Sequence, residues 1–245
     1  MSAPHPPLPE YYEHESQRGG WVKELFDRTA VDYDRIERYM ALGSGSWYRR
    51  RALSRAGLKA GMRVLDIGVG TGLTARQADL LAGMSGEVTG VDPSIGMLRR
   101  ALLPERIKLL VGSAEAIPAP AASADFLSMG YALRHIGDLG AAFTEFLRVL
   151  APGGRICLLE ITLPQGRVPR ALLKTYMRRI VPFMARHLAA DPESPRLMRY
   201  YWDTIEACTS PQSILQAIRD AGFIDVERYL ELGIFSEYRA RKPQS

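Results

Sequence analysis

The 245-residue sequence predicts a doubly wound α/β fold: a seven-stranded sheet, mostly parallel, closed by an antiparallel C-terminal hairpin. Three observations predict it. From residue 63 onward, short runs of β-type residues alternate with helical stretches, the pattern of a parallel sheet covered on both faces. The run Val64-Leu65-Asp66-Ile67 passes into glycines at alternate positions, Gly68, Gly70 and Gly72, and then into a helix. Only Glu231 and Leu232 separate the last two strands, far too few residues for a parallel crossover.

The elements follow in order. Residues 1–20, Pro-rich and ending in Gly19-Gly20, are expected to be a flexible arm, and residues 21–245 a single domain. From Trp21 to Gly57, apolar positions such as Leu25, Phe26, Ile36 and Leu53 recur at helical spacing, broken at Gly43 to Ser46, which predicts a helical N-terminal extension. Strands are expected at Arg63–Ile67, Glu87–Val91, Ile107–Val111, Ala124–Met129, Arg155–Ile161, Ile224–Leu230 and Gly233–Tyr238. Helices are expected at Thr74–Ala82, Ile95–Leu102, Leu139–Leu150 and Pro211–Ala221. Residues 163–210 are too long and too rich in helix formers for a simple connection. They are expected to form a helical lid over the carboxyl edge of the sheet, where open α/β folds bind ligands.

Composition narrows the function. Hydrophobic residues make up 47% of the chain, enough for one sizeable core. The net charge of +5 hints at an anionic partner. Cys157 and Cys208 form no CxxC pair and have no histidine at metal-ligand spacing, which argues against a disulfide framework or a metal site. No apolar run approaches the roughly 20 residues of a membrane span, and the N-terminus does not resemble a signal peptide, so a cytoplasmic protein is expected.

The glycine loop is the strongest local signal. Glycine permits the tight turn and lets backbone amides approach a ligand at a helix N-terminus. A dinucleotide fingerprint requires GxGxxG, whereas this loop is GxGxG with the acidic Asp66 before it. A carboxylate there suits an ammonium or sulfonium better than a phosphate. At the end of the second strand, Asp92 is placed to accept hydrogen bonds from both hydroxyls of a ribose.

With these pieces the sequence resembles the class I methyltransferases that use S-adenosylmethionine, most closely the branch that C-methylates ubiquinone and menaquinone precursors. The matching residues are Phe26-Asp27-Arg28-Thr29-Ala30 with Asp32-Tyr33-Asp34, the glycine loop, Gly90-Val91-Asp92-Pro93-Ser94, and Ser113-Ala114-Glu115-Ala116-Ile117-Pro118. Gly130-Tyr131-Ala132-Leu133-Arg134-His135 and Arg148-Val149-Leu150-Ala151-Pro152-Gly153-Gly154 extend the match. The resemblance implies a Rossmann-like fold in which Asp66, Gly68, Gly70, Thr71 and Gly72 hold the methionine end of S-adenosylmethionine. It implies further that Asp92 and Pro93 face the ribose, Ser113 and Ala114 the adenine, and Gly130 the methionine side. Tyr33 and Thr29 match positions that close over the cofactor or, equally, pack a helix. This sequence departs from the family at Ser113, where many members carry Asp or Asn, and at His135, where the quinone branch has Asn.

Methyl transfer demands positioning and dryness rather than a protein nucleophile. Activating a phenolic acceptor calls for a base, and His135 is the candidate, its alternative being a surface or helix-capping histidine. Arg134 is placed to bind an oxyanion or to pair with a structural carboxylate. Glu160 ends the fifth strand, where side chains look into the pocket or cap the next loop. Tyr131, His135, Tyr176, Tyr200 and Tyr201 are the expected acceptor contacts. In the lid, Arg170, Lys174 and Arg178 repeat at i, i+4 and i+8 opposite an apolar face, which suits contact with anionic lipid or a merely solvated surface.

The expected activity is methylation of carbon or oxygen on a small aromatic or quinone-like acceptor. Amine methylation, of a phospholipid for example, and cofactor binding without catalysis are the alternatives. Between Gln165 and Arg199 eight basic residues face two acidic ones, so this segment carries +6 and the rest of the chain −1. The charge therefore belongs to the lid and points to acceptor access or peripheral membrane contact, not to nucleic acid. A homodimer is compatible with the sequence.

Overall fold

A computed structural model describes residues 3–40 and 43–244. Seven strands form one sheet in the order β3-β2-β1-β4-β5-β7-β6. These are β1 (Arg63–Ile67), β2 (Glu87–Asp92), β3 (Lys108–Val111), β4 (Ala124–Gly130), β5 (Leu150–Ile161), β6 (Ile224–Glu231) and β7 (Phe235–Arg241). The first five are parallel. Strand β7 runs antiparallel between β5 and β6, pairing Glu160 with Ser236, so the expected hairpin forms with its second strand as the inner one.

Helices α2 (Gly45–Arg55), α3 (Leu73–Ala82) and α4 (Ile95–Arg100) accompany the first strands, and α5 (Leu139–Val149) and α9 (Pro211–Asp220) the later ones. Two apolar layers fill the spaces beside the sheet. One joins Phe143, Phe146, Ile214 and Ile218 to the strands, the other Leu53, Ala75, Ala78 and Ala82. Fully burying a side chain such as Phe146 contributes about 1.5–3 kcal/mol. Asp138 and Ser94 start α5 and α4 by accepting the Ala141 and Met97 amides, as N-caps of short helices do.

A third cluster lies above the sheet's carboxyl edge. Helix α1 (Glu15–Met40) packs there with α6 (Arg167–Thr175), a five-residue π turn (Tyr176–Ile180), α7 (Val181–Leu188) and α8 (Ser194–Ala207), around Trp202, Tyr200, Leu197 and Val181. Within residues 163–210 helix covers 167–188 and 194–207, joined by a short loop, and none of the described helices is long and apolar enough to cross a membrane.

The expected flexible arm gives way to a packed strap; its first two residues lie outside the described ones. Helix α1 begins at Glu15, and Tyr11, Tyr12, His5 and Arg18 are buried. Pro4 O accepts the Thr209 amide at 2.6 Å, and the Tyr11 hydroxyl donates to Asp203 at 2.6 Å. Tyr11 and Trp21 meet Tyr200 with ring centroids 5.1 and 4.9 Å apart. The prolines that suggest disorder are outweighed by this aromatic burial, which no local pattern reveals.

Candidate active site

The loop after β1 is shaped by backbone. Gly68, Gly70 and Gly72 all have positive φ, at 66°, 56° and 89°. At Gly68 a Cβ would lie 2.6 Å from the Ala132 Cβ, and at Gly130 one would lie 2.2 Å from the Thr74 hydroxyl, so glycine is needed where loop, strand and helix converge. Asp92 braces this loop from β2: one carboxylate oxygen accepts the Gly70 amide at 2.8 Å, the other the Ser94 amide at 2.8 Å. Burial pushes its carboxyl up to about 6, against those two hydrogen bonds.

Around the loop opens a cavity of about 270 Å³. Its sheet side is lined by Gly68, Gly70, Asp92, Pro93, Ser113, Ala114 and Gly130; its helical side by Phe26, Tyr33, Tyr131, His135 and Tyr201. The structure thus brings these residues, all but Phe26 expected as contacts, into one chamber. Tyr33 and Tyr201 share a hydrogen bond of 2.8 Å between their hydroxyls. His135 stacks on Tyr200 at 5.4 Å and meets Phe26 edge-on at 5.3 Å. Both of its ring nitrogens are buried without a hydrogen-bond partner among the described residues. Burial, reinforced by the positive Arg134, holds the imidazole well below its usual range, so it is neutral, with one acceptor nitrogen and one donor. Tyr131 takes the left-handed conformation at φ 61°, unusual for a side chain of this size and found where a site overrides backbone preference.

Other predicted residues lie one layer back. Asp66 is fully buried behind the loop, accepting the Ser128 hydroxyl at 2.7 Å, with the Ala75 amide also favouring its ionised form. Burial raises it to about 7. It supports the cradle instead of lining it. Thr71 donates to Asp34 at 2.5 Å, Gly72 caps α3, and Thr29 donates to its own helix at Leu25 O. Arg134 and Glu160 do not face the cavity: they form a buried ion pair, with Arg134 also donating to Thr204 and lying 4.6 Å from the Tyr201 ring. At this depth the two charges are spent mainly on each other, with Arg134 Nη2 left without a hydrogen-bond partner among the described residues. Neither side chain lines the cavity, which the expected direct roles require. Tyr176 donates to Met40 O, and Tyr200 lies behind His135.

Sequence reasoning missed part of the α1 wall. Arg18, Gly19, Val22 and Phe26 line the cavity at helical spacing, but the glycine pair and the prolines before it hide the start of that helix. Three aspartates then fasten α1 to the site. Asp27 accepts the Ser94 hydroxyl and Gly96 amide at 2.6 and 2.7 Å, Asp34 holds the glycine loop, and Asp32 accepts the Ala190 and Asp191 amides at 2.8 Å and the Ser194 hydroxyl at 3.1 Å.

The lid stripe also reads differently. Lys174 pairs with Glu206 at 2.7 Å, and Arg170 and Arg178 lie 3.9 and 3.8 Å from Glu206 and Asp203. These cations fasten α6 to α8.

A mostly parallel sheet of this order, with a glycine cradle and a carboxylate at the end of β2, fits the class of S-adenosylmethionine-dependent methyltransferases. The residues fit that cofactor: glycines admit close backbone approach, and Asp92, which lines the cavity, retains acceptor capacity toward a ribose. The solved fold is shared with a methyltransferase of Aquifex aeolicus, at TM-score 0.60 and 20% identity over 85% of this chain and 97% of that one. It is shared equally with the [4+2]-cyclase SpnF, at TM-score 0.65 and 17% identity over 93% and 97% of the two chains, so fold alone does not fix the reaction. Sequence does: the chain belongs to the ubiE/COQ5 methyltransferase family, whose pattern matches residues 12–242. It is 31% identical to the ubiquinone/menaquinone biosynthesis C-methyltransferase UbiE of Coxiella burnetii, over 92% of each chain. Identity to the demethylmenaquinone methyltransferase of Roseiflexus castenholzii is 34%, over 86% of this chain and 88% of the relative.

Proposed function

We propose that this protein methylates a ring carbon of a hydroquinone, the reduced form of a quinone precursor. The observation that carries the reading is the aromatic half of the cavity, continuous with the cofactor cradle and holding a single neutral histidine with two unpartnered nitrogens. S-adenosylmethionine supplies the methyl group from its sulfonium. The chain supplies the rest.

Phe26, Tyr33 and Tyr201 offer a planar ring apolar faces and exclude water from the chamber. The acceptor nitrogen of His135 takes a hydrogen bond from a ring hydroxyl, shifting electron density toward the ring and making its carbon a better nucleophile. That carbon takes the methyl group as the methyl's bond to sulfur breaks, and the hydrogen it carried leaves as a proton to solvent when the ring regains its aromaticity. The low proton affinity of this imidazole keeps it free to accept at neutral pH. The hydroxyl pair of Tyr33 and Tyr201 offers a second polar contact across the chamber. Arg134 and Glu160 act through position, holding the turn that carries His135 and the ring of Tyr201.

The test uses a chemically reduced naphthoquinone lacking the ring methyl, under anaerobic conditions, with isotope-labelled cofactor. Mass spectrometry should find the label on a ring carbon. Label on oxygen, or turnover only with amines, would overturn the reading.

A further inference from the structure

We propose that the outer face of the continuous helix from α6 to α7 is a docking surface for an anionic phospholipid bilayer. The inner face is defined by Leu173, Met177, Val181 and Ala185, which pack on the cluster around α8. Their spacing of four exceeds the 3.6 residues of an α-helical turn, and the π turn between the two helices absorbs the difference. The opposite side is consequently one uninterrupted surface nearly 20 residues long.

That surface is both apolar and basic. Val168, Leu172 and Phe183 are 71%, 67% and 64% exposed, an unusual cost for large apolar side chains on one helix. Between and beside them stand Arg167, Arg179 and Arg186, all exposed and, among the described residues, without an ion-pair partner. The other cations of the helix, Arg170, Lys174 and Arg178, turn toward the carboxylates of α8. The sequence from Leu163 to Ala190 contains six Lys or Arg and no Asp or Glu.

Charge selects the occupant. A face with uncompensated arginines and no acid repels a second copy of itself. A nucleic acid would meet the arginines but leave the exposed Phe and Leu in water. An anionic bilayer satisfies both sets, with apolar side chains at the acyl boundary and guanidinium groups among headgroup phosphates. Helix α7 packs on α1 and α8, which supply Phe26, Tyr33 and Tyr201 to the chamber, so the docked face stands one helix away from the acceptor. The purpose of docking, access to a lipid-borne acceptor, rests on the proposed function; the surface itself does not.

The experiment sediments the full chain with vesicles of phosphatidylcholine alone or mixed with phosphatidylglycerol, at about 0.1 M salt and without acceptor. Binding to the mixed vesicles only, weakened by added salt, is expected. The R179A/R186A and L172S/F183S variants should each lose more than about tenfold in partition, whereas R99A, at an exposed arginine of α4, should not. Unchanged S-adenosylmethionine affinity by calorimetry shows that each variant is folded. Equal binding to both vesicles, binding to neither, equal loss with R99A, self-association abolished by L172S/F183S, or preference for duplex DNA would each overturn the proposal. Because no methyl transfer is measured, its failure is distinct from failure of the quinol reading.

Discussion

The two walls of the cavity are built by opposite means. On the sheet side, the cradle is made of backbone: three glycines at positive φ, a close approach at Gly130, and amides fixed by Asp92. On the helical side, the chamber is made of side chains from α1, the turn at His135 and α8, held together by rings, hydroxyls and one buried ion pair. A backbone wall recognises a constant ligand, since few substitutions leave it intact. A side-chain wall can be rewritten residue by residue. The two kinds of wall meet at a seam running between Gly130 and Tyr131.

The comparison predicts where each wall breaks. The largest effect is expected from Arg134→Ala, which leaves Glu160 buried and unpaired and should cost about 3–5 kcal/mol in urea unfolding. Replacing both partners by Met and Leu should restore most of that stability; a double variant as unstable as the single would show that the pair does more than neutralise charge. Next comes His135→Leu, expected to lower acceptor turnover about a hundredfold with cofactor affinity unchanged, read by steady-state kinetics beside calorimetry. His135→Asn, which keeps an acceptor, should retain more activity than Leu.

Asp92→Ala is expected to weaken cofactor binding by about 2 kcal/mol, with the fold retained. The same residue gives a pH signature in the cofactor-free protein. Its carboxyl, held at about 6 in the folded state against about 3.9 unfolded, makes the native state bind a proton more tightly. That contribution to stability is fully present below about 3.9 and is lost as pH rises through 6. Denaturation at pH 5 and pH 7.5 should show a difference that Asp92→Asn reduces. The smallest effect is expected from Tyr33→Phe, about 1 kcal/mol in acceptor KM and none in cofactor affinity.

The contrast also explains what the sequence reveals. Positive φ and close approach force glycine, so the loop at Gly68 to Gly72 and the sheet around it are legible in a linear string. The hairpin is legible for a similar reason, since two intervening residues permit little else. The chamber is not. That Arg134 meets Glu160 instead of a substrate, or that Tyr11 and Trp21 enclose Tyr200, depends on packing between residues up to about 190 positions apart. Periodicity marks Arg170, Lys174 and Arg178 as a stripe but does not show that α8 stands opposite with Glu206 and Asp203.

Asp32 has a mechanical consequence. By gathering the amides of Ala190 and Asp191 and the hydroxyl of Ser194, it rivets the loop between α7 and α8 to the long first helix. An outward movement of α7 and α8 would have to break these bonds or carry α1 along. Any outward swing must also strain Asp27 at Ser94 and Asp34 at Thr71, both of which grip the cofactor's side of the cleft. An opening that carries α1 outward would therefore break contacts on both walls of the cleft at once, because three aspartates of a single helix hold them together.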